Sequence, residues 1–379
     1  MHRFGGLCKN PHVDRRQIAW LHQRHITEEN LERAITRLTN AYARFELPRR
    51  WGSAKRASAD GTKWEIYTQN LLAEYHIRYG GYGGIAYYHV SDTYIALFSR
   101  FIPCSVWEAV YILDGLLSNQ SEMKPNEVSG DTQAQNAVVF GLAHLLGIRL
   151  MPRIRNLKDL TLYRPDTSST YLHIDELFKG TVDWDLIATH LPDMLRIALS
   201  IKAGRITAST ILRKLSSYSH KNRLYQAFRE LGRVVRTGFI LQYLADPELR
   251  ATIQQATNKS EAFNNLVQWL AFGNMGVIPT NNRAEQRKYI KYNHLLANAV
   301  ILVNTAVITK LLSDLAKGGY VIHPEAVAAL SPYITQHIIR FGRFALDPTR
   351  RPLPLDFDVP LFDPEEVQEV GVDVVTATA

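Results

Sequence analysis

Between residues 64 and 154 the sequence alternates short strand-like runs with helical patterns in one fixed order. Three runs rich in β-branched and aromatic residues come first, and a turn with four glycines in five residues precedes the second run. A helix, a fourth strand, a second helix and a fifth strand follow. The expected strands are 64–67, 85–90, 94–102, 127–131 and 148–154, and the expected helices are 105–117 and 134–146. The pattern predicts an α/β protein.

The order of these elements restricts how the strands pair. The first three strands follow one another without a helical pattern between them, which suits antiparallel neighbours, whereas each of the last two strands is reached through a helix, which suits parallel pairing. Three antiparallel strands followed by such crossovers are the plan of the RNase H-like fold. We therefore predict a mixed five-stranded RNase H-like sheet in which the first and fourth strands are neighbours.

The remaining sequence divides around that core. Residues 1–49 are predicted to be an N-terminal helical segment, because apolar residues from Leu31 to Phe45 fall on one helical face behind a Thr27 cap. Residues 50–165 are assigned to the first part of the core, 166–258 to a helical insertion, and 259–346 to the completion of the core with flanking C-terminal helices. Residues 347–379 are rich in Pro and acidic residues, which predicts a flexible tail.

Charge is distributed unevenly along the chain. The full sequence carries +8 at pH 7, but the tail holds eight acidic and only two basic residues. The rest of the chain, with 42 basic and 28 acidic residues, therefore carries +14, and a field of that sign attracts polyanions such as nucleic acid. A solvated basic surface gives the same count, so charge alone leaves both interpretations open.

Cysteine content and hydropathy argue against a secreted or membrane protein. Only Cys8 and Cys104 occur, too few for a disulfide framework or a Cys-rich zinc site. Polar residues, among them Asn298 and Asn304, interrupt the most apolar long segment, 295–312, and a membrane span would avoid them. The first residues lack the apolar core of a signal peptide. We expect a soluble cytoplasmic protein without a membrane partner.

Acidic residues in three distant parts of the chain are candidates for one metal site. Asp60 lies next to Gly61 at the mouth of the first strand, and Asp131 lies at the end of the fourth, so the predicted sheet brings them to neighbouring strands. Glu261 follows the insertion, and Glu285 is its rival for the third position. Carboxylates are hard ligands that suit Mg²⁺, and two such ions about 3.5–4 Å apart activate the attacking and leaving oxygens in phosphoryl transfer.

Each of these acids also has a purely structural interpretation. Asp60 with Gly61 is an ordinary turn pair, and Asp131 is a potential cap for the next helix. Residues 258–261 form a capping-box pattern, which predicts that a helix starts at Glu261. With 36 acidic residues in the chain, spacing does not choose among these interpretations.

Short motifs around these acids resemble a known family. Residues 51–52 and 58–61 (Trp-Gly, then Ser-Ala-Asp-Gly) are similar to the segment with the first catalytic Asp in replicative transposases of the Tn3 family. The resemblance runs from about Glu28 to Phe344. Further motifs occur in that family's order, at residues 78–80, 84–92, 113–117, 131–132, 144–147, 152–155, 162–163, 293–304, 330–333 and 342–343.

The resemblance implies an RNase H-like core with a helical insertion and an Asp-Asp-Glu active site. Asp60, Asp131 and Glu261 are then catalytic residues and metal ligands, with Mg²⁺ as the cofactor and Mn²⁺ as a substitute. By resemblance, Glu261 is favoured over Glu285. The implied reaction is DNA transposition: hydrolysis of a phosphodiester at a transposon end, then attack of the freed 3′-hydroxyl on target DNA without a covalent protein–DNA intermediate.

Basic residues near the acids are candidate DNA contacts. Arginines alternate with apolar residues over 148–155, which is unusual for a buried strand. If the strand is shorter, Arg153, Arg155 and Lys158 follow its end and lie near Asp60 and Asp131. There they would contact DNA phosphates without reading the base sequence. Surface ion pairs explain these residues equally well. The stretch before the first strand adds four candidates of the same weight: Arg49, Arg50, Lys55 and Arg56.

The same resemblance implies partners and a location. We expect DNA (transposon ends and target) as the substrate, a homodimer or a pairing with full-length transposase, and a nucleoid-associated site in the bacterial cytoplasm. Family members are longer and recognise the transposon ends through N-terminal regions, whereas about 27 residues precede the first matching helix here, so end recognition is expected to lie elsewhere. Two alternatives remain open: a catalytically silent DNA-binding or regulatory fragment, and a stand-alone RNase H-like nuclease.

Overall fold

The structure, a computed structural model, describes residues 14–66, 74–76, 81–104, 108–156, 160–217, 222–271 and 277–339. Lys158 and the predicted tail 347–379 lie outside the described residues. Within them, helices pack on a mixed sheet, as expected for an α/β protein.

The central sheet combines antiparallel and parallel strands. The strands of the described residues are β1 (Arg56–Ile66), β2 (Glu74–His76), β3 (Gly81–Ser91), β4 (Ala96–Pro103), β5 (Glu127–Gly130), β6 (Arg149–Pro152), β7 (Leu162–Arg164), β8 (Phe178–Thr181) and β9 (Val277–Ile278). Strands β7 and β8 form a separate pair, and the other seven form one sheet. In it β3 is antiparallel to β1, β2 and β4, whereas β5 is parallel to β1 and β6.

The five predicted strands correspond to β1, β3, β4, β5 and β6, in the order β4-β3-β1-β5-β6. The first and fourth predicted strands, β1 and β5, are neighbours as expected. Strands β2 and β9 were not predicted, because two or three residues are too few to show a period-two pattern.

Helices cover the sheet. They are α1 (Arg15–His25), α2 (Glu28–Tyr42), α3 (Leu47–Trp51), α4 (Ile112–Ser118), α5 (Ala137–Leu145), α6 (Trp184–Lys202), α7 (Ala208–Ser217), α8 (Arg223–Ala245), α9 (Pro247–Leu270), α10 (Arg283–Lys317) and α11 (Pro324–Ala329). Helix α2 begins where the sequence predicts, since the Thr27 hydroxyl accepts a hydrogen bond from the Asn30 N–H.

Alternation along β3 sends side chains into two cores, one on each face of the sheet. Ile85 and Tyr87 belong to a core that includes residues of α5, α6 and α8. Ala86 and Tyr88 belong to a second core with residues of α2, α9 and α10. The predicted insertion therefore shares a core with the sheet, because α6 and α8 lie within it.

Helix α9 begins earlier than the sequence predicts. Asp246 caps it, with its carboxylate accepting the N–H groups of Glu248 and Leu249, and Pro247 occupies its first turn. The helix continues without a break to Leu270, so the expected helix start at Glu261 is wrong and the expected boundary at residues 258–259 falls inside one helix. The Asp246 cap and Pro247 start the helix upstream, so residues 258–261 continue it and their capping-box pattern is not used as a helix start.

Asp92 ties the β3–β4 connection to the chain that enters β1. Its carboxylate accepts the backbone N–H groups of Ser53 and Ala54, both at 2.9 Å. A Cβ at Gly52 would lie 2.5 Å from the Asp92 Cγ, so the approach requires glycine. Lys259 of α9 donates to the Asp92 carbonyl. These contacts fix β1 and α9 next to each other, and the two elements carry two of the three predicted acids.

Helix α10 is long and apolar enough, by length and composition alone, to cross a membrane. Its polar residues are nevertheless used inside the fold: Asn298 and His294 hydrogen-bond with the Ala96 carbonyl of β4, and Lys291 donates to the Ser99 carbonyl. Buried polar groups satisfied by a neighbouring strand are typical of a core helix. We therefore interpret α10 as the central helix of the second core.

Candidate active site

The end of the parallel ladder positions two of the predicted acids and one arginine. The last β1–β5 pair directly precedes Asp60 and Asp131. The last β5–β6 pair directly precedes Asp131 and Arg153. Because adjacent strands lie about 4.8 Å apart, these three residues form a row where the parallel ladder ends, with Asp60 inside β1 and the other two just after β5 and β6.

A cavity of about 120 Å³ opens beside this row. Glu261 and Thr257, one turn apart on α9, close it from the helix side. The three predicted acids therefore line one cavity, together with two of the predicted DNA contacts. The lining residues are Ser58, Ala59, Asp60, Gly130, Asp131, Thr132, Arg153, Arg155, Thr257 and Glu261.

Two hydrogen bonds hold the Asp60 carboxylate. Its Oδ1 accepts the backbone N–H of Gly61 at 2.9 Å, and its Oδ2 accepts the side-chain N–H of Asn264 at 2.9 Å. Each oxygen keeps further lone pairs while the residue lines the cavity. The carboxylate is thus oriented before any ligand arrives.

The environment of Asp60 disfavours its negative charge. Burial is the largest cause, and it raises the pKa of Asp60 to about 7 although the Gly61 hydrogen bond lowers it. The negative charges of three neighbouring carboxylates contribute to the same rise, those of Glu108, Asp131 and Glu261. A site with this excess of negative charge is suited to a cation.

The donor groups fit a hard divalent cation. The cavity offers carboxylate oxygens, the ligands such ions prefer, and the buried Asn264 Oδ1 beside Asp60 has no hydrogen-bond partner in the described structure. Among the described residues no three acidic, His or Cys side chains are already drawn together as a metal-binding group. Arg153 Nη1 lies 4.0 Å from Glu261 Oε1, so a positive group already faces the acids.

Glu108 is a fourth acid near Asp60 that the sequence analysis missed, although it does not line the cavity. It is 9% exposed, and its Oε2 lies where a Cβ of Gly61 would come within 2.3 Å. Its charge is the largest of the neighbouring charges that raise the pKa of Asp60, after burial. The sequence pointed elsewhere, because Ser105 and Glu108 have capping-box spacing, while residues 105–107 lie outside the described structure. The lack of space beside Gly61 points to Glu108, but it is visible in the structure and not in the sequence.

Glu285, the rival third acid, lies elsewhere. It sits in the first turn of α10, where its Oε1 pairs with Lys288 Nζ at 2.9 Å and its Oε2 lies 3.7 Å from His22 Nε2. It does not line the cavity. The geometry therefore favours Glu261 as the third acid.

The predicted basic residues separate into two groups. Strand β6 is short, as the arginine alternation suggested, and both Arg153 and Arg155 line the cavity. Arg56 instead forms an ion pair with Glu127 at 2.7 Å. The remaining described candidates are exposed and absent from the cavity lining: Arg49, Arg50 and Lys55.

A larger cleft of about 700 Å³ shares no lining residue with this cavity. Four of its eight charged lining residues pair with one another: Arg287 Nε lies 3.0 Å from Glu28 Oε2, and Lys291 pairs with Glu32. The three predicted acids line the smaller cavity and not this cleft.

The raised pKa of Asp60 predicts how stability depends on pH without metal. Between about pH 4 and 7 the folded chain holds a proton that the unfolded chain releases, so stability falls as pH rises through this window. In chelator, Asp60→Asn should remove this fall and stabilise the protein at pH 8 by a few kcal/mol. Urea unfolding at pH 5 and pH 8 measures the free energy of unfolding of both proteins, with Asp193→Asn on α6 as a control. An unchanged pH dependence in Asp60→Asn would contradict the assignment.

Carboxylates that face arginines at the end of parallel strands are an arrangement suited to domains that act on phosphodiesters. Carboxylates bind the hard cations of phosphoryl transfer, and guanidinium groups bind phosphate oxygens. Comparison with known proteins identifies the family within this class.

The family profile of the Tn3 transposase DDE domain matches residues 7–344. The chain is 34% identical to the transposase for transposon Tn501 of Pseudomonas aeruginosa, over 91% of this chain and 36% of that protein. It is 32% identical to the transposase for Tn1546 of Enterococcus faecium (89% and 35%) and 31% identical to that for gamma-delta of Escherichia coli K12 (88% and 34%). The chain belongs to the Tn3 transposase DDE family, and it spans about a third of the length of these curated relatives.

Proposed function

We propose that this chain is the catalytic region of a DNA transposase that cleaves phosphodiesters at transposon ends and joins the 3′-hydroxyl ends to target DNA. The observation that carries the proposal is that Asp60, Asp131 and Glu261, from three distant parts of the sequence, line one cavity. Family membership supports the same reaction.

The core is proposed to be RNase H-like. Three antiparallel strands, β4-β3-β1, continued by the parallel strands β5 and β6, support this assignment. The predicted division into an N-terminal segment, a core and an insertion is kept as part of the proposal. In that division α9 carries the chain from the insertion directly into the active site.

The three acids are the proposed ligands of Mg²⁺, for which Mn²⁺ would substitute. Cations bound there would supply Lewis acidity to the attacking and leaving oxygens of a phosphodiester. The chain itself does the positioning: β1 and β5 hold Asp60 and Asp131 on adjacent strands, and α9 brings Glu261 across the sheet end.

Arg153 and Arg155 are proposed to bind the DNA phosphates next to the cleaved bond, since guanidinium groups bind phosphate oxygens in a bidentate manner. A phosphate on Arg153 would lie beside Glu261, which is 4.0 Å from this guanidinium. The other basic candidates remain predicted DNA contacts: Arg49, Arg50, Lys55, Arg56 and Lys158. Pairing with a second copy or with full-length transposase, and association with the nucleoid, also remain predictions.

A cleavage and joining assay tests the proposal. Duplex oligonucleotides with a family transposon end are incubated with the chain and Mg²⁺ or Mn²⁺. We expect cleaved and joined products, and Asp131→Asn should lower both about 10²- to 10³-fold because it removes a charge that stabilises the transition state through the cation.

The control is Asp193→Asn, which removes an exposed acid of α6 that pairs with Arg196. It should leave both products unchanged. Cleavage without joining would instead indicate a stand-alone nuclease. DNA binding without any metal-dependent cleavage would indicate a catalytically silent fragment.

A further inference from the structure

Helix α9 meets β1 through polar side chains at the active site. Glu261, Asn264 and Gln268 are spaced by three and four residues and so share one face of the helix. Asn264 donates to Asp60 Oδ2 at 2.9 Å, and Gln268 donates to the Thr62 hydroxyl two residues further along β1. Two amides of the same face thus bind the same strand, but only one of them contacts a predicted metal ligand.

The amide of Asn264 is only half satisfied by the protein. The residue is 7% exposed, and its Oδ1 has no hydrogen-bond partner in the described structure. Few buried acceptors remain unpaired without a reason. Because the N–H of the same amide binds Asp60, this acceptor lies immediately beside the carboxylate that lines the cavity. The described residues supply no donor for it.

We propose that Asn264 is a positioning residue for the metal site, an inference that rests on the proposed function of Asp60 as a ligand. Its N–H and the N–H of Gly61 each hold one oxygen of the Asp60 carboxylate, which fixes the carboxylate in the plane it presents to the cavity. Its Oδ1 accepts a hydrogen bond from water brought by a bound cation. A neutral amide performs both tasks without adding a further negative charge to the site.

The matched pair of variants is Asn264→Leu and Gln268→Met. Each replaces an amide by an apolar side chain of similar shape, and each removes one α9–β1 hydrogen bond. Partners that orient a metal ligand typically contribute 10- to 100-fold to metal affinity or activity. We therefore expect Asn264→Leu to weaken Mn²⁺ binding about 10- to 100-fold, and Gln268→Met to leave it nearly unchanged.

Mn²⁺ binding is measured by electron paramagnetic resonance on the full chain without DNA, and melting temperature in chelator is measured in parallel. Both variants should lower the melting temperature, since each loses one part-buried hydrogen bond between α9 and β1. In the cleavage assay, Asn264→Leu should need more Mn²⁺ for half-maximal rate yet recover most of the maximal rate at saturation. Asn264→Ala replaces the leucine variant if that variant does not fold.

The proposed function is tested separately: the wild type should bind Mn²⁺, and Asp131→Asn should abolish that binding. If that binding is present and Asn264→Leu binds Mn²⁺ like the wild type, the inference about Asn264 is wrong while the proposed function stands. Equal weakening in Asn264→Leu and Gln268→Met also overturns it, because Asn264 would then only join the helix to the strand. If the wild type shows no Mn²⁺ binding that depends on Asp131, both proposals fall.

Discussion

Replacing Glu261 by Gln is expected to lower metal-dependent DNA cleavage about 10²- to 10³-fold, whereas Glu285→Gln should leave it unchanged. The two acids were rivals in the sequence, but only Glu261 lines the cavity with the two aspartates. Its side chain is 56% exposed, so losing the charge does not disturb a buried network. The expected effect is therefore on the reaction and not on folding.

The measurement compares initial cleavage rates of both variants at saturating Mg²⁺, with urea unfolding in chelator as the check on stability. Glu285→Gln is a matched control, because it makes the same chemical change to an acid that pairs with Lys288 on α10. A large loss of cleavage in Glu285→Gln together with full activity in Glu261→Gln would reverse the assignment of the third acid.

The sheet and two of its acids were predictable because they depend on local patterns and on short connections. Apolar runs separated by turns gave five strands, and the crossover rule made the first and fourth strands neighbours. Strands β1 and β5 are adjacent and parallel, and their register, which ends at the pair Ala59–Gly130, brings Asp60 within β1 next to Asp131 just after β5. The short β6 and the position of Arg153 followed from the same pattern.

The third acid depended on information that is not local. Nothing in the spacing separates Glu261 from Glu285, and the resemblance of the surrounding motifs favoured the first. The capping-box pattern at 258–261 even predicted a helix start that the structure does not have, since Asp246 begins the helix earlier. Which of two acids reaches the sheet is decided by tertiary packing, here by α9 lying across β1.

Glu108 and Asn264 were not predictable at all. The Glu108 carboxylate comes close enough to raise the pKa of Asp60 because Gly61 leaves room for it, and this depends on the tertiary structure and not on a motif. Asn264 lies one turn after Glu261 in a helix whose facing strand had to be known first. Residues that support a site from a neighbouring element leave little trace in a single sequence.

The largest effect on stability is expected where the insertion meets the core. Helices α5 and α8 cross at Gly141 and Gly232, and a Cβ at Gly232 would lie 1.6 Å from the Ala137 carbonyl oxygen. Gly232→Ala therefore forces the two backbones apart; overpacking costs about 1–3 kcal/mol and occasionally more, and we expect the upper end here because the clash is with backbone. Helix α5 follows shortly after Asp131, so the displacement should also lower cleavage.

Gly238→Ala is the matched control on the same helix, since a Cβ there meets no atom within 4 Å. Alanine is a better helix former than glycine, so this variant should gain about 0.5–1 kcal/mol and keep full cleavage. Urea unfolding thus measures the same glycine-to-alanine change at two positions of α8, with a loss of stability expected at Gly232 and a gain at Gly238. Equal stabilities would show that α5 and α8 do not pack backbone to backbone. The insertion would then be free to move relative to the acids, whereas close packing makes it part of the framework that holds Asp131 in place.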